Sequence, residues 1–199
     1  MRTPLRGLAA AAVLWPLALG VTAQADEPAT LAEVGRALAQ SPTAAFAALD
    51  RLPPQLAASA EARYLRARAE AVRGEHDATV RALEGLESAL PLLTEDIVRR
   101  RADALAFGGR MRDAESTYRA LATRLHAAER EVVLARAAEC ALAAGDAARA
   151  APALRAALES DPRGLDPMAT SMALAEAELA QGRRAEAALA LRRAVVRWP

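Results

Sequence analysis

Four glycines, Gly74, Gly109, Gly145 and Gly182, stand 35, 36 and 37 residues apart. The chain around them is rich in Ala, the residue that forms helix at least cost, whereas Gly and Pro interrupt helix. Aligning the sequence on these glycines brings other columns into agreement. Seven residues before each stand Ala67, Ala102, Ala138 and Ala175, and five after come Thr79, Ala114, Ala150 and Ala187. Nine after are Leu83, Tyr118, Leu154 and Leu191, and twelve after are Leu86, Leu121, Ala157 and Ala194. Seventeen after are Pro91, His126, Pro162 and Pro199. Ala is common enough to fill a column by chance; the joint recurrence of Gly and Pro is not. The unit predicted is helix, left-handed turn at Gly, helix, stop at Pro. Small residues on either side of the turn let the two helices approach closely.

This pattern resembles the tetratricopeptide repeat (TPR) family, whose helix–turn–helix unit recurs every 34 residues. The resemblance covers four units, 60–93, 95–128, 131–164 and 168–199. It implies an all-α fold, a right-handed α-solenoid of about five antiparallel helix hairpins. The fifth is a degenerate N-terminal pair at 29–54, with Ser41-Pro42 in place of the glycine turn and Pro53-Pro54 as its stop. The units depart from the family pattern at several positions. Arg66, Arg101, Glu70 and Glu178 replace usually apolar residues of the first helices, His126 replaces a terminal Pro, and Pro152 falls near the start of a second helix. The last helix, ending at Trp198-Pro199, is expected to expose a side that inner units bury, with Val195, Val196 and Trp198 on it.

Residues 1–25 read as a secretory signal peptide: Arg2 and Arg6, then an apolar stretch from Gly7 to Gly20, then Ala23-Gln24-Ala25 as the cleavage site. Cleavage after Ala25 starts the mature domain at Asp26, and Ala23 offers a second cut. The expected location is therefore exported and periplasmic, with no membrane span after processing; an uncleaved inner-membrane anchor is the alternative. The apolar stretch is too short for a comfortable span. Without Arg2 and Arg6 the mature chain carries 24 basic against 25 acidic residues. Such a balance provides no global field for nucleic acid. All the basic residues are Arg, and the lone cysteine, Cys140, cannot form an internal disulfide. In an Ala-rich helix it reads as a buried thiol.

No catalytic constellation is legible, and neither a metal nor another cofactor is expected. His76 and His126 each sit near a turn, and too few His and Cys accompany them for a zinc site. A P-loop needs a Lys the chain lacks, and no Ser stands in a G-x-S-x-G elbow. By the TPR resemblance, the first helix of each unit lines a concave groove that takes a partner segment. The groove residues so implied are Tyr64, Arg68, Arg99, Arg100, Asp103, Arg136, Glu139, Met172 and Glu176. Arg99-Arg100-Arg101 is the densest charge run. An Arg cluster in a groove takes carboxylates bidentately, and the same residues also read as a solvated helix face. The resulting expectation is a non-catalytic adaptor or assembly factor binding another protein or peptide segment of the cell envelope. The alternatives are self-assembly through the C-terminal helix, or a regulatory scaffold for a peptidoglycan-active enzyme.

Overall fold

Each of the four glycines adopts a positive φ, 77° at Gly74, Gly109 and Gly182 and 89° at Gly145. The backbone hydrogen bonds around them repeat as well. The residue after each glycine donates to the carbonyl five before itself: Glu75 to Glu70, Arg110 to Leu105, Asp146 to Ala141 and Arg183 to Glu178, at 2.8–2.9 Å. Each glycine N–H also donates to the carbonyl three before it. This double bond pattern closes a helix C-terminus and satisfies carbonyls that the helix itself leaves open. A Cβ at this φ would be strained, which is why glycine recurs there.

The computed structural model describes residues 29–160 and 162–197, so the signal-peptide residues, including Ala23 and Ala25, lie outside it, as does Trp198. The described chain is all-helical, with no strand among the described residues. Its α-helices are α1 (Leu31–Gln40), α2 (Pro42–Asp50), α3 (Pro54–Ala57), α4 (Ala60–Val72), α5 (His76–Leu83), α6 (Leu86–Ala89), α7 (Thr94–Phe107), α8 (Met111–Ala122), α9 (Ala127–Ala143), α10 (Ala147–Ser160), α11 (Pro167–Ala180) and α12 (Arg184–Arg197). A short 3-10 turn, Pro91–Leu93, precedes α7.

Side-chain caps explain several starts. Thr30 and Glu33 form a reciprocal capping box on α1, and Ser41, Ser59 and Asp166 accept from backbone N–H groups of α2, α4 and α11 at 3.0–3.1 Å. Pro42, Pro54 and Pro167 occupy first turns, where their missing N–H costs nothing.

Substantial packing runs between elements close in the chain: α4 on α5, α7 on α8, α9 on α10 and α11 on α12, with each second helix also against the next first helix. The columns flanking the glycines are the contact surfaces. Ala67, Ala102, Ala138 and Ala175 are buried, as are Thr79, Ala114, Ala150 and Ala187. Thr79 keeps its hydroxyl satisfied by donating to the Glu75 carbonyl at 3.0 Å. Larger side chains fill the gaps to the next helices: Leu83 against Ile97, Tyr118 against Val133, and Leu154 against Leu174. Leu191 occupies the same column but is 42% exposed, because no described helix lies beyond α12.

Two details differ from the sequence expectation. The second helix of the first unit does not run to Pro91. It stops at Leu83, and Gly85 turns at φ 73° before the single turn α6. The Arg63 guanidinium takes the carbonyls of Ala82 and Glu84 that this break leaves open, at 3.2 and 3.0 Å. Pro152 lies inside α10, which begins at Ala147, two residues after its glycine like the other second helices. The proline is exposed, so the carbonyl that loses its partner can be hydrated. Among the helix departures, Arg101 is held by Glu87 at 2.6 Å, and Glu178 lies between two arginines as described below.

Candidate functional site

The face shared by α4, α7 and α9 carries two adjoining cavities. The smaller, about 300 Å³, is lined by Leu38, Arg68, Val72, His76, Arg100, Asp103 and Phe107 among others. The larger, about 460 Å³, holds Asp103, Phe107, Met111, Tyr118, Arg136, Glu139 and Cys140. Asp103 and Phe107 belong to both, so the two form one trough. The helical period explains the grouping. Arg100, Asp103 and Phe107 follow at i, i+3 and i+7 on α7, and Arg136, Glu139 and Ala143 repeat that spacing on α9.

Most of the trough's charges are matched within the protein, although Arg68 makes no ion pair among the described residues. Arg100 pairs with Asp96 at 2.6 Å, Arg136 with Glu139 at 3.0 Å, and Asp103 accepts the Tyr118 hydroxyl. Tyr64 is buried beneath, donating to Asp96, and its ring lies 5.9 Å from the Arg68 guanidinium carbon. Burial alone raises Asp96, but hydrogen bonds from Arg100 and Tyr64 outweigh it and hold the carboxyl below its usual range. Burial, and then the hydrogen bond to Asp103, push the Tyr118 phenol far above its usual value. The Cys140 thiol is pushed up to about 11, by burial first and by Glu139 and Glu115 next. It is thus a thiol rather than a thiolate at neutral pH and a poor nucleophile.

The structure therefore brings together five of the residues implied by sequence: Arg68, Arg100, Asp103, Arg136 and Glu139. It does not bring the other four to this trough. Tyr64 is packed below it, Arg99 lines neither cavity, and Met172 and Glu176 sit on α11. The Arg99-Arg100-Arg101 run is dispersed: Arg100 and Arg101 are tied to different acids on different sides of α7. The reading from sequence missed Phe107, which is 77% exposed, and Val72 beside it. Both stand two residues before a repeat glycine, one turn on from Asp103 and Arg68 respectively, and that spacing was available in the sequence. His76 opens α5 and stacks on Phe107 with ring centroids 5.7 Å apart.

On the outer side, two glutamates are buried under arginines. Glu115 is held by Arg119 at 2.9 Å and Arg149 at 3.1 Å, and Glu178, only 1% exposed, by Arg155 and Arg183. Glu70 occupies the position in its unit that Glu178 occupies in the last. It is buried too, yet its Oε2 has no partner, and burial raises its carboxyl. Among the described residues no helix is long and apolar enough to cross a membrane, and no three His, Cys, Asp or Glu side chains are grouped to hold a metal ion.

Comparison with known protein families and with curated proteins finds no match to this chain.

Proposed function

We propose that this chain is a non-catalytic protein-binding module: an exported, TPR-like α-solenoid of about five helix pairs that docks a segment of an envelope protein on the inner face of its first helices. The observation that carries this reading is the trough across α4, α7 and α9, with exposed Phe107 and Val72 set among ion-paired Arg, Asp and Glu. Exposed aromatic and aliphatic side chains in a concave, charge-rimmed surface are the anchors that peptide recognition uses. Because most of the trough's acids and bases neutralise one another, binding energy comes mainly from Phe107 and Val72, and the charges set register.

The test is crosslinking in living cells with wild type, Phe107→Ser and Arg68→Glu, each checked for native helicity. The Phe107 side chain is largely in solvent, so its replacement leaves the fold intact. A partner captured by wild type and lost from both variants supports the reading. A partner retained by both variants removes the trough from the interface.

A second reading, self-assembly through α12, has one observation in its favour. Leu191 and Met172, the latter 58% exposed, occupy columns whose other apolar members, such as Leu154, Tyr64 and Ala135, are buried. Sedimentation of the purified chain over a concentration series separates the two: a mass that rises with concentration and reverts in Leu191→Glu favours self-assembly.

A further inference from the structure

A cleft of about 610 Å³ opens on the opposite side from the trough, between α10 and α12 and floored by α11. Its size lies within the ~300–1,000 Å³ of small-molecule sites. Leu158, Leu174, Leu189, Ala190 and Val196 make it apolar.

The repeats provide an internal comparison. Seven residues after the glycine, where α12 has Leu189, the earlier units have Arg81, Ser116 and Pro152. Fourteen after, where α12 has Val196, they have Ser88, Thr123 and Glu159. Eight before, at the floor position of Leu174, stand Arg66, Arg101 and Ala137. The equivalent opening between α8 and α10 is lined by Arg112, Glu115, Ser116, Arg119, Asp146 and Arg149, and is bridged by the Arg149–Glu115 ion pair. Only the last unit thus carries large aliphatic side chains at both outward wall positions, above the buried floor residue Leu174. Leu189 and Val196 are 47% and 76% exposed, so these substitutions stabilise no core.

The charges around the cleft are ordered. Arg155 and Arg192 hold the same repeat position, ten after their glycines, and Arg193 follows. These three ring the cleft at one level. Glu186 stands nearer the start of α12, and Glu159 nearer the end of α10. Glu178, beneath, is already matched by Arg155 and Arg183. Among the described residues neither Arg192 nor Arg193 is ion-paired with a carboxylate. Two adjacent unpaired guanidinium groups beside an apolar hollow suit a carboxylate attached to a hydrocarbon tail.

We infer that the cleft between α10 and α12 binds a single-chain carboxylate amphiphile, of the fatty-acid type, with its tail on Leu158, Leu174, Leu189 and Val196 and its head on Arg192 and Arg193.

The test titrates the full chain with dodecanoate below its micelle concentration, by calorimetry, with dodecyltrimethylammonium and dodecyl maltoside as cationic and neutral arms. Leu189→Ser/Val196→Thr restores residue types found at the same positions in an earlier unit, and Arg192→Gln/Arg193→Gln removes the head contact. All are surface changes, and circular dichroism verifies the fold. The expected result is one saturable site that prefers dodecanoate over both other arms. Affinity falls about tenfold or more in Leu189→Ser/Val196→Thr, since tail burial drives it. In Arg192→Gln/Arg193→Gln the preference for the anionic head disappears while tail binding persists. Equal binding of all three amphiphiles by wild type overturns the proposal, as does unchanged affinity in Leu189→Ser/Val196→Thr, which places binding elsewhere on the chain. Binding to phosphatidylglycerol vesicles without binding to monomeric dodecanoate also overturns it and assigns the face to a membrane surface.

Discussion

Glu70 and Glu178 stand at one repeat position, four residues before Gly74 and Gly182, and the same isosteric change should act on them with opposite sign. The two middle units have Leu105 and Ala141 there, both buried, so the site itself favours an apolar side chain. Glu70 Oε2 is buried without a hydrogen-bond partner. Glu70→Gln removes a buried charge while leaving volume and shape unchanged. An unsatisfied buried polar group costs ~1–3 kcal/mol and a charged one more, so the variant should be about 1 kcal/mol more stable at neutral pH. Glu178→Gln instead converts two charge-assisted hydrogen bonds, from Arg155 and Arg183, into weaker ones and turns an NH₂ group toward a guanidinium. The arginines are 46% and 41% exposed and can turn to water, which keeps the loss near ~1–2 kcal/mol rather than the ~3–5 kcal/mol of a stranded buried charge. The pH dependence provides a further check. Burial holds the Glu70 pKa above the ordinary 4.5 in the folded state. The folded chain therefore binds more protons than the unfolded one between those two values. Stability falls as pH rises through that window, and is highest with respect to Glu70 below it. Glu70→Gln should lack this slope. Urea unfolding followed by far-ultraviolet circular dichroism, repeated across the window, measures both effects. If Glu70→Gln destabilises at neutral pH, or if wild type and variant share the same pH slope, the orphaned-carboxylate argument is refuted.

Two further pairs test the repeat in the same way, by one substitution at two positions. Gly109→Ala forces a Cβ into a φ of 77° and should cost ~1–2 kcal/mol, whereas Gly35→Ala, inside α1 with open space around the new methyl, should gain ~0.5–1 kcal/mol. Thermal unfolding of both variants checks this, and a shared sign contradicts the left-handed turn. Leu154→Ala, at a fully buried site, should cost ~2–5 kcal/mol, and Leu191→Ala in the same column should stay within ~0.5 kcal/mol. Urea midpoints separate them, and a large loss at Leu191 would mean that α12 is covered in solution.

The turns and their flanking columns were legible because they rest on local chemistry. A positive φ selects Gly, and a close helix crossing selects Ala, whatever the surroundings. The position twelve after each glycine is buried in all four units although its residue varies between Leu and Ala, since periodicity alone places it on the inward face. The break at Gly85 was harder to see. A single Gly inside a helical pattern costs only ~1 kcal/mol against Ala and so does not by itself end the helix; here the break is matched by Arg63, 19 and 21 residues away, whose guanidinium takes the freed carbonyls of Ala82 and Glu84. No periodicity within α5 contains that information.

The site was less legible than the fold for a related reason. Charge in a sequence is counted by residue, but charge at a surface depends on which neighbour is within reach. Arg100 finds Asp96 one turn back, Arg136 finds Glu139 nearly one turn on, and Arg101 finds Glu87 across a loop. Of a run that reads as a dense cationic patch, two members, Arg100 and Arg101, are taken up in separate internal pairs. Exposed ion pairs of this kind contribute little to stability, ~0–1 kcal/mol each, and they leave little net field for a partner. Besides Arg68, which makes no ion pair among the described residues, the trough keeps two largely exposed apolar side chains two before the glycines, Val72 and Phe107. Their exposure stabilises nothing within the chain. A partner gains from covering them and gives up no existing ion pair in doing so, provided its own charges fit the register that the Arg–Asp and Arg–Glu pairs set. Under the proposed docking, specificity in this trough lies in the order of the pairs along α7 and α9, and affinity in Phe107. Exchanging the partners as Arg136→Glu/Glu139→Arg keeps the net charge and the pairing but reverses the order. It should weaken a partner that Phe107 still anchors, and it should do so without the loss of stability that removing one member of the pair would bring.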